Sequence, residues 1–143
     1  MKQLDDLLEM WRQDSDIDRT EPGKALLDIP KLHSKYLNIL SRHRLLSKEA
    51  EFKYNKMKKL KWEYYTGKSD PQVYQQKPFN LKILKQDVDK YIEADEEIQK
   101  AAQKVKYLET VVDFLDRTIR QVSNRTFTIK NAIDWRKFTS GAI

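Results

Sequence analysis

Apolar residues recur at helical spacing along most of the chain. Those between Leu4 and Trp11 predict a short amphipathic helix over the first dozen residues. After Pro30, apolar and aromatic positions alternate at spacings of four and three, which is a heptad pattern. It predicts a helix from about Lys31 to Thr66, ~50 Å long at 1.5 Å per residue, and a helix of this length needs a partner helix. The heptad positions are Leu32, Tyr36, Ile39, His43, Leu46, Ala50, Lys53, Met57, Leu60 and Tyr64.

A second heptad pattern supplies that partner. It follows Pro71 and Pro78, and its phase shifts at Val105. The two long helices are therefore expected to form a hairpin, with a connecting loop in which Gly67 caps the end of the first helix. The second pattern consists of Leu81, Leu84, Val88, Tyr91, Asp95, Ile98, Ala102 and Val105, followed by Leu108, Val112, Leu115, Ile119 and Val122.

The last segment, residues 123–143, is apolar on more than one side. Ser123, Asn124 and Thr126 predict a helix break at its start. Two hairpin helices cannot cover all of this apolar surface, so the segment should pack on the hairpin of its own or another subunit, and we expect an oligomer. The candidate oligomerisation residues are Phe127, Ile129, Ile133, Trp135 and Phe138.

Length and composition favour one all-α domain, residues 1–143, with short N-terminal and C-terminal helices beside the hairpin. Its parts are an acidic N-terminal arm (1–30), the basic helix with its heptad partner (31–122) and a C-terminal assembly helix (123–143). The absence of cysteine excludes a disulfide framework. Because no apolar run reaches the ~18 residues of a membrane helix, we expect a soluble, cytoplasmic protein with no membrane partner.

Charge is distributed unevenly. Residues 1–30 carry four basic and eight acidic groups (net −4), residues 31–68 carry eleven and three (net +8), and residues 69–143 carry thirteen and eleven (net +2). This asymmetry predicts that an anionic partner docks on the central element.

The stretch Lys53–Asp70 places aromatic residues among lysines. Lysines contact phosphates as point charges, and exposed indole or phenol rings stack unpaired bases, which favours single-stranded nucleic acid over duplex. The alternative is a charged coiled-coil face, in a scaffold or adaptor that binds acidic protein partners without nucleic acid. The carboxylates available to pair with its lysines are Glu93, Asp95, Glu96 and Glu97. The candidate DNA-binding residues are Lys58, Lys59, Lys61, Trp62, Tyr65 and Lys68.

Motifs for catalysis, cofactors and metals are absent from the sequence. Gly67-Lys68-Ser69 matches the end of a P-loop, but Trp62 stands where its first glycine belongs. Asp14, Asp16 and Asp18 have the spacing of calcium ligands, but the loop lacks the required glycine and glutamate. We therefore predict no enzyme, no cofactor and no metal site.

Residues Lys59–Asp70, "KLKWEYYTGKSD", resemble the Lys-x-Arg-x-Asp-Tyr-Tyr-Ser-Gly-Arg-Gly-Asp segment of the UvsY family, the recombination mediator proteins of tailed bacteriophages. Three further strings resemble family segments in the same order along the chain. They are "IDRT" at residues 17–20, "SKYLN" at residues 34–38 and "RTFTIKNAIDWRKF" at residues 125–138.

The resemblance implies a non-enzymatic helical subunit that assembles into a hexameric or heptameric ring through its C-terminal segment. It further implies binding of single-stranded DNA, and loading of a RecA-like recombinase in place of the phage single-strand-binding protein, in the cytoplasm of the infected host cell. The family's two DNA-contacting basic residues fall on Lys59 and Lys61. Lys61 replaces an arginine, so it keeps the charge and loses the guanidinium fork.

Overall fold

A computed structural model of the chain describes residues 2–141, and all regular structure within that range is helical. The predicted all-α class is confirmed. Both ends of the predicted 1–143 domain, residue 1 and residues 142–143, lie outside the described range. The helices are α1 (Lys2–Asp14), α2 (Pro22–Leu27), α3 (Ile29–Tyr65), α4 (Pro71–Gln76), α5 (Val88–Ala94) and α6 (Glu96–Thr139), with a 3₁₀ turn at Lys85–Asp87.

Two compact units make up the chain. The terminal unit contains the described residues up to Arg44 and those from Thr110 onward, and the central unit is Leu45–Glu109. The expectation of one domain stays a prediction. The buried apolar residues of the terminal unit are Tyr36, Leu40, Val111, Leu115, Val122 and Ile129, and those of the central unit are Ala50, Val88, Ile92, Ile98 and Leu108.

The long helix α3 begins and ends close to its predicted limits. Pro30 lies in its first turn, where no intrahelical backbone donor is required. At the other end the Lys68 amide donates to the Glu63 carbonyl at 2.8 Å, and the Gly67 amide donates to the Tyr64 carbonyl at 3.3 Å. Gly67 has φ +79°, so these bonds form the glycine-dependent Schellman cap and confirm the predicted cap.

From Leu46 onward, the buried face of α3 differs from the predicted heptad at every second position. Leu46, Lys53 and Leu60 are exposed, and the residue after each of them is more buried instead. Both registers keep the four-three spacing, so the spacing alone did not choose between them. One consequence is that Lys61 turns inward. The buried or half-buried repeat is Tyr36, Leu40, His43, Ser47, Ala50, Tyr54, Met57, Lys61 and Tyr64.

The second long helix begins later than the heptad pattern predicts. Residues 78–84 have no regular structure, and Leu81 and Leu84 in this stretch are each 63% exposed. Asp95 separates α5 from α6, and its Oδ1 atom accepts the amides of Glu97 at 2.9 Å and Ile98 at 3.1 Å. Asp95 is therefore a capping residue of α6 and not a heptad position.

The predicted break at Ser123, Asn124 and Thr126 is wrong, because α6 continues without interruption to Thr139. The Thr128 hydroxyl donates to the Asn124 carbonyl at 3.3 Å. Ser123, Asn124 and Thr126 are exposed, while Val122 and Ile129 of the same helix are buried, so packing of the apolar face outweighs the weak helix propensity of these residues. The described part of the predicted C-terminal helix is thus the end of a 44-residue helix.

Candidate nucleic-acid interface

The residues predicted to bind DNA lie at the C-terminal end of α3 and just beyond it, in the central unit, but in two different environments. Lys58, Lys59 and Lys68 are exposed, and Trp62 is 39% exposed. Lys61 and Tyr65 are half-buried. The structure therefore separates an exposed group from a group held by other side chains.

Tyr65 is held in a cluster of aromatic rings. Its ring centroid lies 5.0 Å from that of Tyr64, 5.1 Å from that of Phe79 and 5.8 Å from that of Tyr91. Tyr74 stacks on Tyr64 at 5.5 Å, and its hydroxyl donates to the Tyr64 carbonyl at 2.8 Å. These contacts pack the loop after α3 against the helix end. Much of the Tyr65 ring is therefore packed against other rings and is not free to stack a base on both faces.

Lys61 is held by carboxylates, in a group that we call the Asp95 cluster (Lys61, Tyr65, Lys77, Asp95 and Glu97). The Oδ2 atom of Asp95 accepts the Tyr65 hydroxyl at 2.6 Å and lies 3.3 Å from the Nζ atom of Lys61. The same Nζ atom lies 3.5 Å from Oε1 of Glu97, which lies 2.9 Å from Nζ of Lys77. The side chains of Lys61 and Asp95 are 15% and 9% exposed.

Hydrogen bonds and a nearby cation keep Asp95 ionised near neutral pH. Burial alone raises the pKa of Asp95, but the hydrogen bonds from Tyr65, the Ile98 amide and Lys61 hold that pKa below its ordinary value. Burial, followed by the bond to Asp95, raises the pKa of Tyr65. Asp95 is therefore an anion paired with Lys61. The alternative in which lysines pair with carboxylates thus holds for Lys61.

A groove of about 500 Å³ runs beside the exposed group and is lined by Lys58, Lys59 and Trp62. Asp89 and Glu93 line the same groove, so we call it the mixed groove. The Nζ atom of Lys58 lies 4.8 Å from the centre of the Tyr54 ring, a cation–π contact. Among residues 2–141, no carboxylate forms an ion pair with Lys58 or Lys59.

A second groove, of about 620 Å³, is also lined by Trp62. Its charged lining residues within the described chain are Lys68, Lys82 and Lys85, with no carboxylate, and we call it the basic groove. The Nζ atom of Lys68 lies 4.4 Å from the centre of the Trp62 ring. Trp62 therefore lies where two lysine-lined grooves meet.

A family sequence model described as "Recombination, repair and ssDNA binding protein UvsY" matches residues 10–142. The chain belongs to the UvsY family. No curated protein sequence matches it significantly. Three crystal structures of the bacteriophage T4 recombination mediator protein UvsY share the fold, with TM-scores of 0.80, 0.81 and 0.83 at identities of 24%, 24% and 25%. They cover 94%, 95% and 94% of this chain, and the aligned parts are 97%, 96% and 98% of those chains.

Membership in the UvsY family confirms the resemblance and supports a role in recombination and repair with binding of single-stranded DNA. Of the two basic residues that the resemblance implies contact DNA, Lys59 is exposed and Lys61 is ion-paired. Lys82 and Lys85 line the basic groove but are not among the predicted residues, because the sequence pattern predicts a loop and the start of a heptad helix there. Their signal in the sequence is the string "NLKILK", residues 80–85, in which two apolar residues separate the two lysines.

The candidate oligomerisation residues of the terminal unit also divide into two groups. Phe127, Trp135 and Phe138 are 69%, 67% and 68% exposed, and the last two stack with ring centroids 5.9 Å apart. Ile129 is only 3% exposed, and it lines a groove with Ile133 and residues of the N-terminal arm. Ile129 is therefore already covered inside one chain. Separately, within residues 2–141 no helix contains an apolar stretch that could cross a bilayer.

Proposed function

We propose that this protein is a recombination mediator that binds single-stranded DNA through the exposed residues around Trp62 and loads a RecA-like recombinase in place of a single-strand-binding protein. The observation that carries the proposal is an exposed indole flanked by Lys58, Lys59 and Lys68, none of which pairs with a carboxylate within residues 2–141. Unpaired cations are available to phosphates, and an accessible indole is available to bases.

The mixture of charge and aromatic surface favours a single strand over a duplex. A stacked base contributes ~1–3 kcal/mol whatever its identity, because every base has a flat π face. A duplex hides these faces inside its own stack, so Trp62 would contribute little to its binding. The predicted outcome is sequence-tolerant binding that weakens as salt increases.

Mediator activity further requires several copies acting together. We propose a hexameric or heptameric ring in which Phe127, Trp135 and Phe138 are covered by a neighbouring copy, because exposed apolar clusters of this kind mark interfaces. Repetition of a weak site makes later contacts intramolecular, which raises avidity by ~10²–10⁴. A strand held around such a ring in the infected host cytoplasm would release the resident binding protein and accept the recombinase.

Affinity measured against salt concentration tests the DNA site. Replacing Lys58 and Lys59 together by Ala should weaken oligonucleotide binding and reduce the logarithmic salt slope by ~1.4 per engaged subunit, since ~0.7 counterion is released per contact on single strands. Lys48→Ala with Lys53→Ala is the matched control, because both lysines lie on α3 and each is ion-paired with a neighbouring glutamate. Equal losses in the two double variants would refute the site.

Recombinase filament growth on strands already covered by single-strand-binding protein tests the mediator step. The wild-type protein should accelerate growth, and the Lys58, Lys59 variant should not. If the protein has no effect on filament growth but binds polyglutamate as tightly as an oligonucleotide, the adaptor for acidic proteins is the better description. The pairing of Lys61 with Asp95 and Glu97 is the observation that favours this second function.

A further inference from the structure

The basic groove has the composition of a nucleotide site, and two of its lysines, Lys82 and Lys85, belong neither to the family motif nor to the predicted residues. We propose that it binds one nucleotide of the strand, with a phosphate at Lys82 and Lys85 and the base against Trp62. This inference rests on the proposed binding of single-stranded DNA and adds a second subsite to it. The groove's volume of about 620 Å³ lies within the range of small-molecule sites, roughly 300–1,000 Å³.

Charge distinguishes this groove from its neighbours in the central unit. The mixed groove contains Asp89 and Glu93, and the lysines of the Asp95 cluster are paired with carboxylates. The charged residues that line the basic groove within the described chain are lysines alone, and Lys82 and Lys85 are both exposed. No lining side chain of the described chain is negatively charged, so the positive charge of these lysines is available to attract a phosphate.

The contact between Lys68 and Trp62 indicates how a base would enter. The ammonium group lies 4.4 Å from the indole centre, so it covers one face of the ring when no strand is bound. An exposed cation–π contact stabilises less than the stacking of a base on an aromatic ring. An arriving nucleotide should therefore displace Lys68 from the indole, and the released ammonium would bind the adjacent phosphate.

The remaining lining residues favour a nucleotide over an acidic peptide. Asn80 offers an amide that both donates and accepts hydrogen bonds, which matches the polar edge of a base. Phe79 and Tyr65 supply flat apolar walls. Since Trp62 also lines the mixed groove, a strand that crosses Lys58 and Lys59 would pass directly into the basic groove.

The test compares the wild-type protein with a double variant that carries both Lys82→Gln and Lys85→Gln. We expect oligo(dT) affinity to fall ~10-fold and the logarithmic salt slope to decrease by ~1.4 per engaged subunit. Lys90→Gln with Lys100→Gln is the matched control, because both are exposed lysines of the central unit outside the two grooves. The double variant Lys82→Arg with Lys85→Arg keeps the charge and should retain the affinity.

A second readout reports on the indole itself. In a background with Trp11→Phe and Trp135→Phe, the Trp62 emission should change when oligo(dT) is added, and Lys68→Gln should reduce this change. The inference is overturned if Lys82→Gln with Lys85→Gln binds like wild type, or if polyglutamate produces the same change in emission. Loss of binding in the Lys58, Lys59 variant alone would support the proposed function while rejecting this subsite, so the two failures are distinguishable.

Discussion

The terminal and central units each contain an aspartate that accepts a tyrosine hydroxyl and pairs with a lysine, and the two clusters differ in what surrounds them. In the terminal unit Oδ2 of Asp14 accepts the Tyr36 hydroxyl at 2.8 Å and the Lys35 ammonium at 2.7 Å. Arg125 donates to the backbone carbonyl of Asp14 and lies over the Trp11 ring. This Asp14 cluster holds the end of α1 against α3 and α6.

In the central unit the aspartate has an additional task. Asp95 binds Tyr65 and Lys61 through one oxygen and caps α6 through the other. Its side chain is 9% exposed, whereas that of Asp14 is 25% exposed. The same set of interactions is thus more exposed to solvent in the terminal unit and more buried in the central unit. By turning Lys61 inward, the Asp95 cluster also leaves Lys59 and Trp62 outside, on the proposed DNA surface.

Removing the two aspartates should therefore have unequal effects on stability. Asp95→Ala should lower the free energy of unfolding by about 3 kcal/mol, since it removes a charged hydrogen-bond acceptor and a helix cap together. Asp14→Ala should cost about 1–2 kcal/mol, because water replaces part of its more exposed interactions. Urea unfolding measures both. Asp134→Ala, at an exposed position of α6, is the control with an expected effect near zero. Equal losses would refute the distinction between the clusters.

Loss of the indole should have the next largest effect, on binding and not on stability. Trp62→Ala should weaken oligonucleotide binding by ~1–3 kcal/mol, the contribution of one stacked base. Trp62→Phe is the control, because it keeps an aromatic ring for stacking and should retain most of the affinity with an unchanged particle mass. Light scattering and fluorescence anisotropy separate the two results. A Trp62 variant that binds normally would remove the stacking role.

Lys59 and Lys61 are the two basic residues that the resemblance implies contact DNA, and the structure predicts different consequences of losing them. Lys59→Met should reduce the logarithmic salt slope by ~0.7 per engaged subunit without changing stability. Lys61→Met should leave the slope unchanged and lower the free energy of unfolding by ~1–2 kcal/mol, because Asp95 loses its ion pair. If Lys61→Met reduces the salt slope instead, the result would mean that Lys61 leaves Asp95 and Glu97 and contacts a phosphate when DNA binds.

The pH dependence of stability should show both clusters at once. The pKa values of Asp14 and Asp95 are lowered from 3.8, so their contributions are present above that value and are lost as the pH falls further. The pKa values of Tyr36 and Tyr65 are raised from 10.0, so their contributions are present below pH 10 and are lost as the pH rises above it.

Tyrosine-to-phenylalanine variants separate the two units in this experiment. Tyr65→Phe should remove the alkaline loss of stability that originates in the central unit, and Tyr36→Phe the loss that originates in the terminal unit. Unfolding midpoints measured between pH 7 and 11 provide the comparison. If the variant with both substitutions, Tyr36→Phe and Tyr65→Phe, loses as much stability at alkaline pH as the wild-type protein does, then groups other than these two tyrosines cause that loss.

Local patterns in the sequence determined several features. Heptad spacing predicted the long helix α3 within a residue or two of its limits, because a helix that buries one face needs apolar residues at regular intervals along the sequence. Gly67 marked the end of α3, since a positive φ is easily adopted only by glycine. The motif Lys59–Asp70 indicated the UvsY family, and the lysines and rings within it indicated the proposed ligand.

Other features were decided by tertiary contacts that no local pattern contains. Two registers of α3 satisfy the same heptad spacing, and the observed one is the one that packs against distant residues, with Met57 against Val88 and Ile92 and with Lys61 turned inward to Asp95. Long-range contacts also pack Tyr65 into the aromatic cluster, whereas Trp62 stays exposed. Residue order determines which side chains a helix displays together, whereas the side chains that meet them from distant segments determine which of these remain free to bind.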